Sequence, residues 1–423
     1  MVATAPRPLL AIVYGPGASS AFLLSDGAAP LCDLVWVVDS NDVDQWMLRL
    51  VRKLGRMVDI AGMTEVEAAD ALGALHPDGI VAYADQQMAM AAALGERLGL
   101  DYHDRVVAQR LLDKVTQRQA LRDAGLPVPT CVPVPARATP DAVAEVLAAI
   151  AFPVVIKPRQ GAASRDTHMV HNEKTLRALI AEQSTDDDES TMVVETYMVG
   201  ASPPPSGLFS DYVSVESVVA AGEISHLAVT GRLPQDEPFR ETGLVIPSDF
   251  DLALQEEILA LATEAIRAIG IRIGCLHTEI KVTTKGPRVI EVNGRIGGFV
   301  PQTLKLASPT TDLFELSRRV ALGEKVVFDD LVPTTGVGYV IAQQPPIGAL
   351  RVSTVDGLDR LADYPGVEAV ALSRQPGDEV DWRKGSHEYV FSVLGNVPQH
   401  EDMEKLEQFI ADEVNVTYEW EHD

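Results

Sequence analysis

The chain has 423 residues, with 35 lysines and arginines against 61 aspartates and glutamates, a formal net charge of −26. Its 46% hydrophobic and 23% charged residues are the balance of a folded globular protein, and at about 100–200 residues per domain it has room for roughly two to four domains. So much negative charge repels nucleic acid and anionic membrane, and three widely spaced cysteines, Cys32, Cys131 and Cys275, offer neither a disulfide framework nor a C-x-x-C zinc pair.

The apolar run Leu9–Tyr14, with only Arg7 ahead of it and Gly15-Pro16-Gly17 behind, reads as a strand and turn rather than a signal peptide. No stretch approaches the roughly 20 apolar residues of a membrane span, so a cytoplasmic protein in a reducing compartment is expected. Leu34–Val38 and Gly79–Tyr83 read as further buried strands and Asp85–Leu98 as an Ala-rich helix. Strands alternating with helices predict a parallel α/β sheet. Gly15 and Gly17 match half of a dinucleotide fingerprint, but its third glycine position is Ser20, so the segment reads as a plain strand-to-helix turn.

A helix carrying Lys114 follows and stops at Gly125 with Pro127 and Pro129 beyond. The proline-punctuated stretch Thr130–Pro140 reads as a linker. Next come a helix (Asp141–Ile150), a strand (Val154–Lys157), a small-residue loop (Gly161–Ser164), a helix (Glu173–Glu182) and a strand (Met192–Glu195). Asp186–Glu189 and Pro203–Pro205 read as solvated connections. Strands Tyr212–Val219 and His226–Thr230, a helix Ala253–Ile269 closed by Gly270, and a hairpin around Gly286 complete this part. Beyond about residue 330, strands Val337–Ala342, Val367–Ser373 and Tyr389–Leu394, a Gly377-Asp378 turn and a helix Met403–Ala411 predict a small α+β unit. Glu401–Asp423 holds nine acidic residues and one lysine and reads as a solvated face and tail.

The hairpin carries the densest chemistry. Alternation puts His277, Glu279 and Lys281 on one strand face with Ile280 and Val282 opposite; Glu291 and Asn293 share a face in the second strand, with Ile290 and Val292 opposite. With a turn at Lys285-Gly286-Pro287, symmetry about Lys285 sets Glu279 across from Glu291 and His277 across from Asn293. Carboxylates facing each other across a ladder repel unless a cation sits between them. Two carboxylates and an amide are hard oxygen donors that favour Mg2+ or Mn2+ over zinc; a wet, solvent-facing hairpin is the alternative. Arg295 follows closely, and Gly294, Gly297 and Gly298 permit close backbone approach to a ligand.

Two further segments fit a phosphate site. Phe152–Pro158 is an apolar strand ending in Lys157, which opens onto Gly161-Ala162-Ala163-Ser164-Arg165. That loop offers unhindered backbone N–H groups and the Ser164 hydroxyl, though no Walker A sequence occurs. Met192–Gly200 is a strand leading through Glu195 and Tyr197 to a chain reversal; it could hold an adenine by its backbone or be an edge strand with a core tyrosine.

Together these segments resemble, in order and spacing, the ATP-grasp superfamily, and within it most closely the L-amino-acid ligases and related peptide-forming carboxylate–amine ligases. The matching phrases are Lys114 in Leu-Asp-Lys, Lys157 in Val-Ile-Lys-Pro, the Gly161–Ser164 loop, Glu195 in Val-Glu-Thr-Tyr, His277–Lys281, and Glu291–Gly298. The resemblance implies a multidomain fold of the α/β and α+β classes. An N-terminal Rossmann-like domain would span 1–103, an ATP-grasp lid domain 104–195, a catalytic subdomain with the hairpin 196–330, and a C-terminal α+β domain 331–423. Lys114, Lys157 and the loop Gly161, Ala162, Ala163 and Ser164 would hold ATP phosphates; Glu195 and the backbone near Tyr197 and Val199 would hold adenine. Glu279, Glu291 and Asn293 would hold two Mg2+ ions. Arg295 would steady the phosphoryl group and the carboxylate substrate, Glu241 a substrate amine, and Gly298 and Phe299 would border the substrate pocket. His277 and Ser164 are catalytic candidates, His277 as the base. The sequence departs from the family after the hinge: no acidic residue follows Gly200 closely, which leaves Asp211 and Glu216 as ribose candidates.

The activity implied is ATP-dependent joining of a carboxylate to an amine, amino acids or peptides, through an acyl phosphate with release of ADP and phosphate. The resemblance is also compatible with a homodimer. Two other readings stand beside it: an ATP-grasp ligase of the purine-pathway or carboxylase type, and a nucleotide-binding regulator without turnover.

Overall fold

The computed structural model of the chain describes residues 7–135, 138–182, 192–201 and 207–420. It opens on a four-stranded parallel sheet. Its strands Leu9–Tyr14, Asp33–Val38, Arg56–Asp59 and Gly79–Ala82 lie in the spatial order third, second, first, fourth. The apolar runs read in the sequence are buried on both faces, as a parallel sheet covered by helices requires; Ile12, Val35, Trp36 and Val37 are inaccessible to solvent. The strand order reverses between the first and fourth strands, where ligands of α/β sheets usually bind. Asp85 stands there, as the first residue of helix Asp85–Leu98.

Helices Arg105–Leu112 and Lys114–Asp123 lead into a four-stranded antiparallel sheet ordered Cys131–Val134, Met192–Thr196, Val154–Pro158, His168–Val170. Helices Pro140–Ala149 and Glu173–Glu182 pack on it through Val143, Val146, Leu176 and Ile180. Part of the expected linker is therefore a strand. Cys131–Val134 lies at the sheet edge, where Pro133 costs no ladder hydrogen bond. Asp186–Glu189 and Pro203–Pro205 lie outside the described residues.

The third sheet is antiparallel and has eight strands. Their order is Gly286–Asn293, Gly274–Thr283, Tyr212–Ala220, Glu223–Arg232, Gly243–Ile246, Val337–Gln343, Phe391–Val397 and Val367–Leu372. The last three extend the hairpin's own sheet, so the segment after residue 330 is continuous with it. Helix Leu252–Ile269 stops at Gly270, whose left-handed φ of 92° ends it as the sequence suggested. Its Ile258, Ala262, Ala265 and Ile266 pack against Val213, Val215, Leu276, Ile280, Val282 and Val292. One face of the hairpin is thus committed to core, which fixes the other as the polar face. The expected helix Met403–Ala411 is present and runs over Glu401–Glu413 with Met403, Leu406 and Ile410 buried, whereas part of the expected solvated tail, Asn415–Trp420, is a strand paired with Ala349–Asp356.

The hairpin pairs Glu279 with Glu291 and His277 with Asn293, as the symmetry rule gave. The turn, however, is one residue earlier: Thr283 pairs with Gly286, and Gly286 and Pro287 belong to the strand. A bulge between Glu279 and Ile280 restores the register, leaving Ile290 without an opposite residue and only partly buried.

Helix Val300–Ala307 crosses the sheet over Gly338, where an added Cβ would lie 2.4 Å from the Thr303 carbonyl oxygen and 2.8 Å from the Ala307 nitrogen. Gly338→Ala should lower stability by about 1–3 kcal/mol through overpacking, read in chemical denaturation.

Candidate active site

The polar face of the hairpin is built from opposite charges held close together. Glu279 and Glu291 oppose each other, and each has its own nitrogen partner. Lys114 Nζ lies 3.2 Å from Glu291 Oε1, and His277 Nε2 lies 3.4 Å from Glu279 Oε1. Burial alone would raise the Glu279 pKa; the hydrogen bond and charge of His277, with Arg232 and Arg295 beyond, outweigh it and hold the group at about 2. The buried His277 also sets Nδ1 3.2 Å from the Arg295 carbonyl oxygen. Both ring nitrogens therefore face acceptors, an arrangement suited to orienting Glu279. To act as a base, as the sequence suggested, the ring would have to give up one of these contacts.

Lys114 and Lys157 come to the same region from different elements. Lys114 is the first residue of its helix. Asp113 caps that helix by accepting from the Val115 and Thr116 amides and also takes the Arg159 guanidinium, with Nε 2.9 Å from both carboxylate oxygens. Lys114 also donates to the Gly161 carbonyl at 3.1 Å, which ties it to the small-residue loop. Lys157 Nζ lies 2.7 Å from Glu195 Oε2, and Arg118 Nε lies 2.8 Å from Glu195 Oε1. Burial pushes the Glu195 carboxyl up, but Arg118 and Lys157 hold it down at about 2. The Glu195 carboxylate, expected at adenine, is thus committed to two cations. Arg118, which the sequence reading missed, also donates to the Ile290 carbonyl and joins this cluster to the hairpin. Arg118 shares a helix face with Lys114, four residues earlier, but nothing local in the sequence marks it for Glu195.

The loop itself is strained in a way that suits an anion. Gly161, Ala163, Ser164 and Asp166 have φ of 150°, 57°, 56° and 49°. Non-glycine residues in left-handed conformation cluster at ligand clamps, and successive amides turned this way form a concave donor surface. Arg165, at the end of the loop, is exposed and lies 3.8 Å from Asp166. The loop rests on the segment Trp382–Glu388: the Ser386 amide donates to the Ala163 carbonyl at 2.9 Å and the Asp166 amide to the Arg383 carbonyl at 3.1 Å.

At the hinge the Tyr197 amide donates to Pro153 O, so Tyr197 N–H is spent within the sheet, while Val199 is exposed beyond the strand end. Lys281 Nζ lies 5.8 Å from the Tyr197 ring centroid and pairs with Asp211 at 2.5 Å. Asp211 in turn crowds Gly200, where a Cβ would sit 1.3 Å from Asp211 Oδ2. Of the two ribose candidates only Asp211 lies at the hinge. Glu216 is buried beside His277, accepting from Ser214 and Thr230.

On the substrate side, Arg295 donates to Asp85 Oδ2 from Nε at 3.0 Å and Nη2 at 2.8 Å. Asp85, at the start of the helix that follows the parallel sheet's fourth strand, is a second residue the sequence reading missed; nothing local marks it as the partner of Arg295. Glu241 accepts from Tyr212 Oη at 3.0 Å and lies 3.8 Å from Arg232. Phe299 has a left-handed φ of 60°, starts helix Val300–Ala307 and sets its ring 5.5 Å from Tyr389. Of the three glycines expected to admit a ligand, only Gly298 is open. Gly294 is crowded by Leu111 and Gly297 by Val300.

The donor set fits a shared hard cation. Among the described residues no three His, Cys, Asp or Glu side chains form a metal cage by themselves. Glu279, Glu291 and Asn293 supply oxygen donors short of a full shell, and the buried Asn293 Nδ2, a hydrogen-bond donor with no partner within the protein, suits a phosphate oxygen beside that cation. One or two carboxylates completed by substrate phosphates is the usual manner of Mg2+ binding.

An ATP-grasp domain model matches residues 111–299. Among curated proteins, an uncharacterized protein y4rH of Sinorhizobium fredii is 27% identical over 353 residues, 81% of this chain and 65% of its own length. Alanine–anticapsin ligase of Bacillus subtilis is 26% identical over 248 residues, 55% of this chain and 51% of its own length. The chain thus spans less than two thirds of either relative. Among solved structures, the L-amino acid ligase from Bacillus licheniformis superposes with a TM-score of 0.80 at 19% identity, covering 98% of this chain and 100% of that one. This likeness establishes the fold, mixed α/β over several domains.

The Glu195 cluster makes a pH prediction. Its carboxyl lies at about 2 in the folded chain against an ordinary 4.5, so its stabilisation is complete above 4.5 and is lost as pH falls through 2. Glu195→Gln leaves the buried Arg118 and the half-buried Lys157 uncompensated and should cost about 3 kcal/mol at neutral pH. Denaturation at a series of pH values should show the gap to wild type closing between those two limits.

Proposed function

We propose, from the match of residues 111–299 to an ATP-grasp domain model and from the geometry of the site, that the chain is an ATP-dependent carboxylate–amine ligase. It forms an amide or peptide bond through an acyl phosphate and releases ADP and phosphate. The observation that carries this reading is the opposed pair Glu279 and Glu291, flanked by Lys114 on one side and by His277 and Arg295 on the other. Its substrates are small: a carboxylate and an amine of the amino-acid or peptide class, in keeping with the names of the relative and the structural neighbour.

The chemistry follows from the parts. A carboxylate is a poor electrophile because its leaving group would be an oxide. Transfer of the γ-phosphoryl onto it gives an acyl phosphate that an amine can attack. Such transfer asks for alignment and charge neutralisation more than covalent help. Lys114, Lys157 and the amides of Gly161–Ser164 would hold phosphate oxygens; each lysine would exchange a carboxylate partner for a phosphate. Glu279, Glu291 and Asn293 would hold Mg2+, two ions on the family pattern, or Mn2+, which supplies neutralisation of the phosphate charge. Arg295, fixed by Asp85, would orient the carboxylate. Glu241 would hold the amine. The Tyr197–Val199 backbone and Asp211 would bound the adenosine. The loop would keep water from the acyl phosphate.

A regulator without turnover is disfavoured by the intact carboxylate pair. The test is incubation with ATP, Mg2+ and an amino-acid panel, scoring ADP against AMP and trapping acyl phosphate with hydroxylamine. ADP and a hydroxamate are expected, and Glu291→Gln should slow ADP release by about a hundredfold or more. AMP release, or ADP release unchanged in Glu291→Gln, would contradict the reading.

A further inference from the structure

The segment Trp382–Glu388 touches two parts of the site at once. It is a 3-10 turn broken at Gly385, whose φ of 80° and ψ of −155° lie outside helical space. Its ends are anchored: Glu388 is buried and takes Arg374 at 3.0 Å, and Asp381 accepts the Arg383 amide at 3.1 Å. Trp382 meets His168, on the strand after the phosphate loop, edge to face at 6.1 Å.

Ser386 faces both ways. Its amide donates to the Ala163 carbonyl in the loop at 2.9 Å. Its hydroxyl accepts the Glu241 amide at 2.9 Å. Gln344, fully buried, donates from Nε2 to both the Ser386 carbonyl at 3.0 Å and the Glu241 carbonyl at 2.6 Å. Gly385 makes the approach possible: a Cβ there would lie 2.1 Å from Ala163 O and 2.8 Å from the Arg165 nitrogen. One residue therefore joins the loop assigned to the phosphates and the segment at Glu241 assigned to the amine.

We propose that Ser386, seated on Gly385, is a positioning residue through which docking of the Gly161–Ser164 loop and ordering of Glu241 become one event. The inference rests on the ligase reading. Its chemical consequence concerns a side reaction. Water that reaches the acyl phosphate adds to the acyl carbon and expels phosphate. The starting carboxylate returns, and the net change is ATP hydrolysis. A loop held down by the residue that orders the amine site allows that loss only when the dock is broken.

Two variants and two readouts test it. Gly385→Ala places a methyl against Ala163 O and strains the backbone. The amides of residues 159–167 should exchange hydrogen faster in the presence of Mg2+ and a non-hydrolysable ATP analogue, and amide formed per ADP should fall about tenfold. Ser386→Ala keeps the bond to Ala163 but loses the one from Glu241. KM for the amine should rise about tenfold while KM for ATP stays level, a split that general loosening would not give. Folded Gly385→Ala with wild-type exchange and coupling would overturn the proposal. So would Ser386→Ala with an unchanged amine KM, which decides the matter if Gly385→Ala does not fold. If wild type forms no amide, the ligase reading fails, and exchange in Gly385→Ala still decides whether the dock exists.

Discussion

Two carboxylates placed directly across a β-ladder are the constraint on which the rest of the site depends. Glu279 and Glu291 cannot sit opposite each other without compensating partners, and the fold supplies three. Lys114 arrives on a helix, the His277 ring lies along the same strand as Glu279, and the Arg295 guanidinium comes from the chain just past the hairpin. The apolar face of the hairpin, packed under helix Leu252–Ile269, prevents the strands from slipping to separate the charges. Packing thus holds an electrostatic arrangement that would not assemble by itself.

The same logic extends outward and changes the meaning of the net charge of −26. Lys114 pairs with Glu291, Lys157 with Glu195 and Arg295 with Asp85, so the cations assigned to a polyanion already have anionic partners inside the protein. On the proposed reading, nucleotide and metal bind by exchange. A phosphate takes a lysine from its carboxylate, and a divalent ion takes the carboxylate from its lysine. An exchange of partners leaves fewer charges bare than binding to an isolated basic patch would, and it needs no overall positive charge.

Much of this was legible in the sequence, for definite reasons. The period-2 pattern of His277–Val282 named the polar face, and the Glu279–Glu291 pairing came out correctly. It did so by compensation: the turn lies one residue earlier than expected, and the bulge at Ile290 shifts the register back. A bulge leaves no mark in an alternation count. Cys131–Val134 was hidden by prolines that an edge strand tolerates. Partnerships formed across the tertiary structure were not legible, because nothing local announces them. Asp85 meets Arg295 over 210 positions, Arg118 meets Glu195 over 77, and Ser386 meets Glu241 over 145. The glycines of Glu291–Gly298 were read as openings for a ligand, yet two of them admit Leu111 and Val300. A missing Cβ is a space, and the sequence does not say what fills it.

The central claim is that Glu279 and Glu291 form a divalent-ion site completed by nucleotide phosphates. Calorimetric titration of ADP with and without Mg2+ tests it most directly. The account predicts that Mg2+ tightens ADP binding by about tenfold or more in wild type and leaves it nearly unchanged in Glu291→Gln. Equal ADP affinity with and without Mg2+ in wild type, or an undiminished Mg2+ effect in Glu291→Gln, would contradict it.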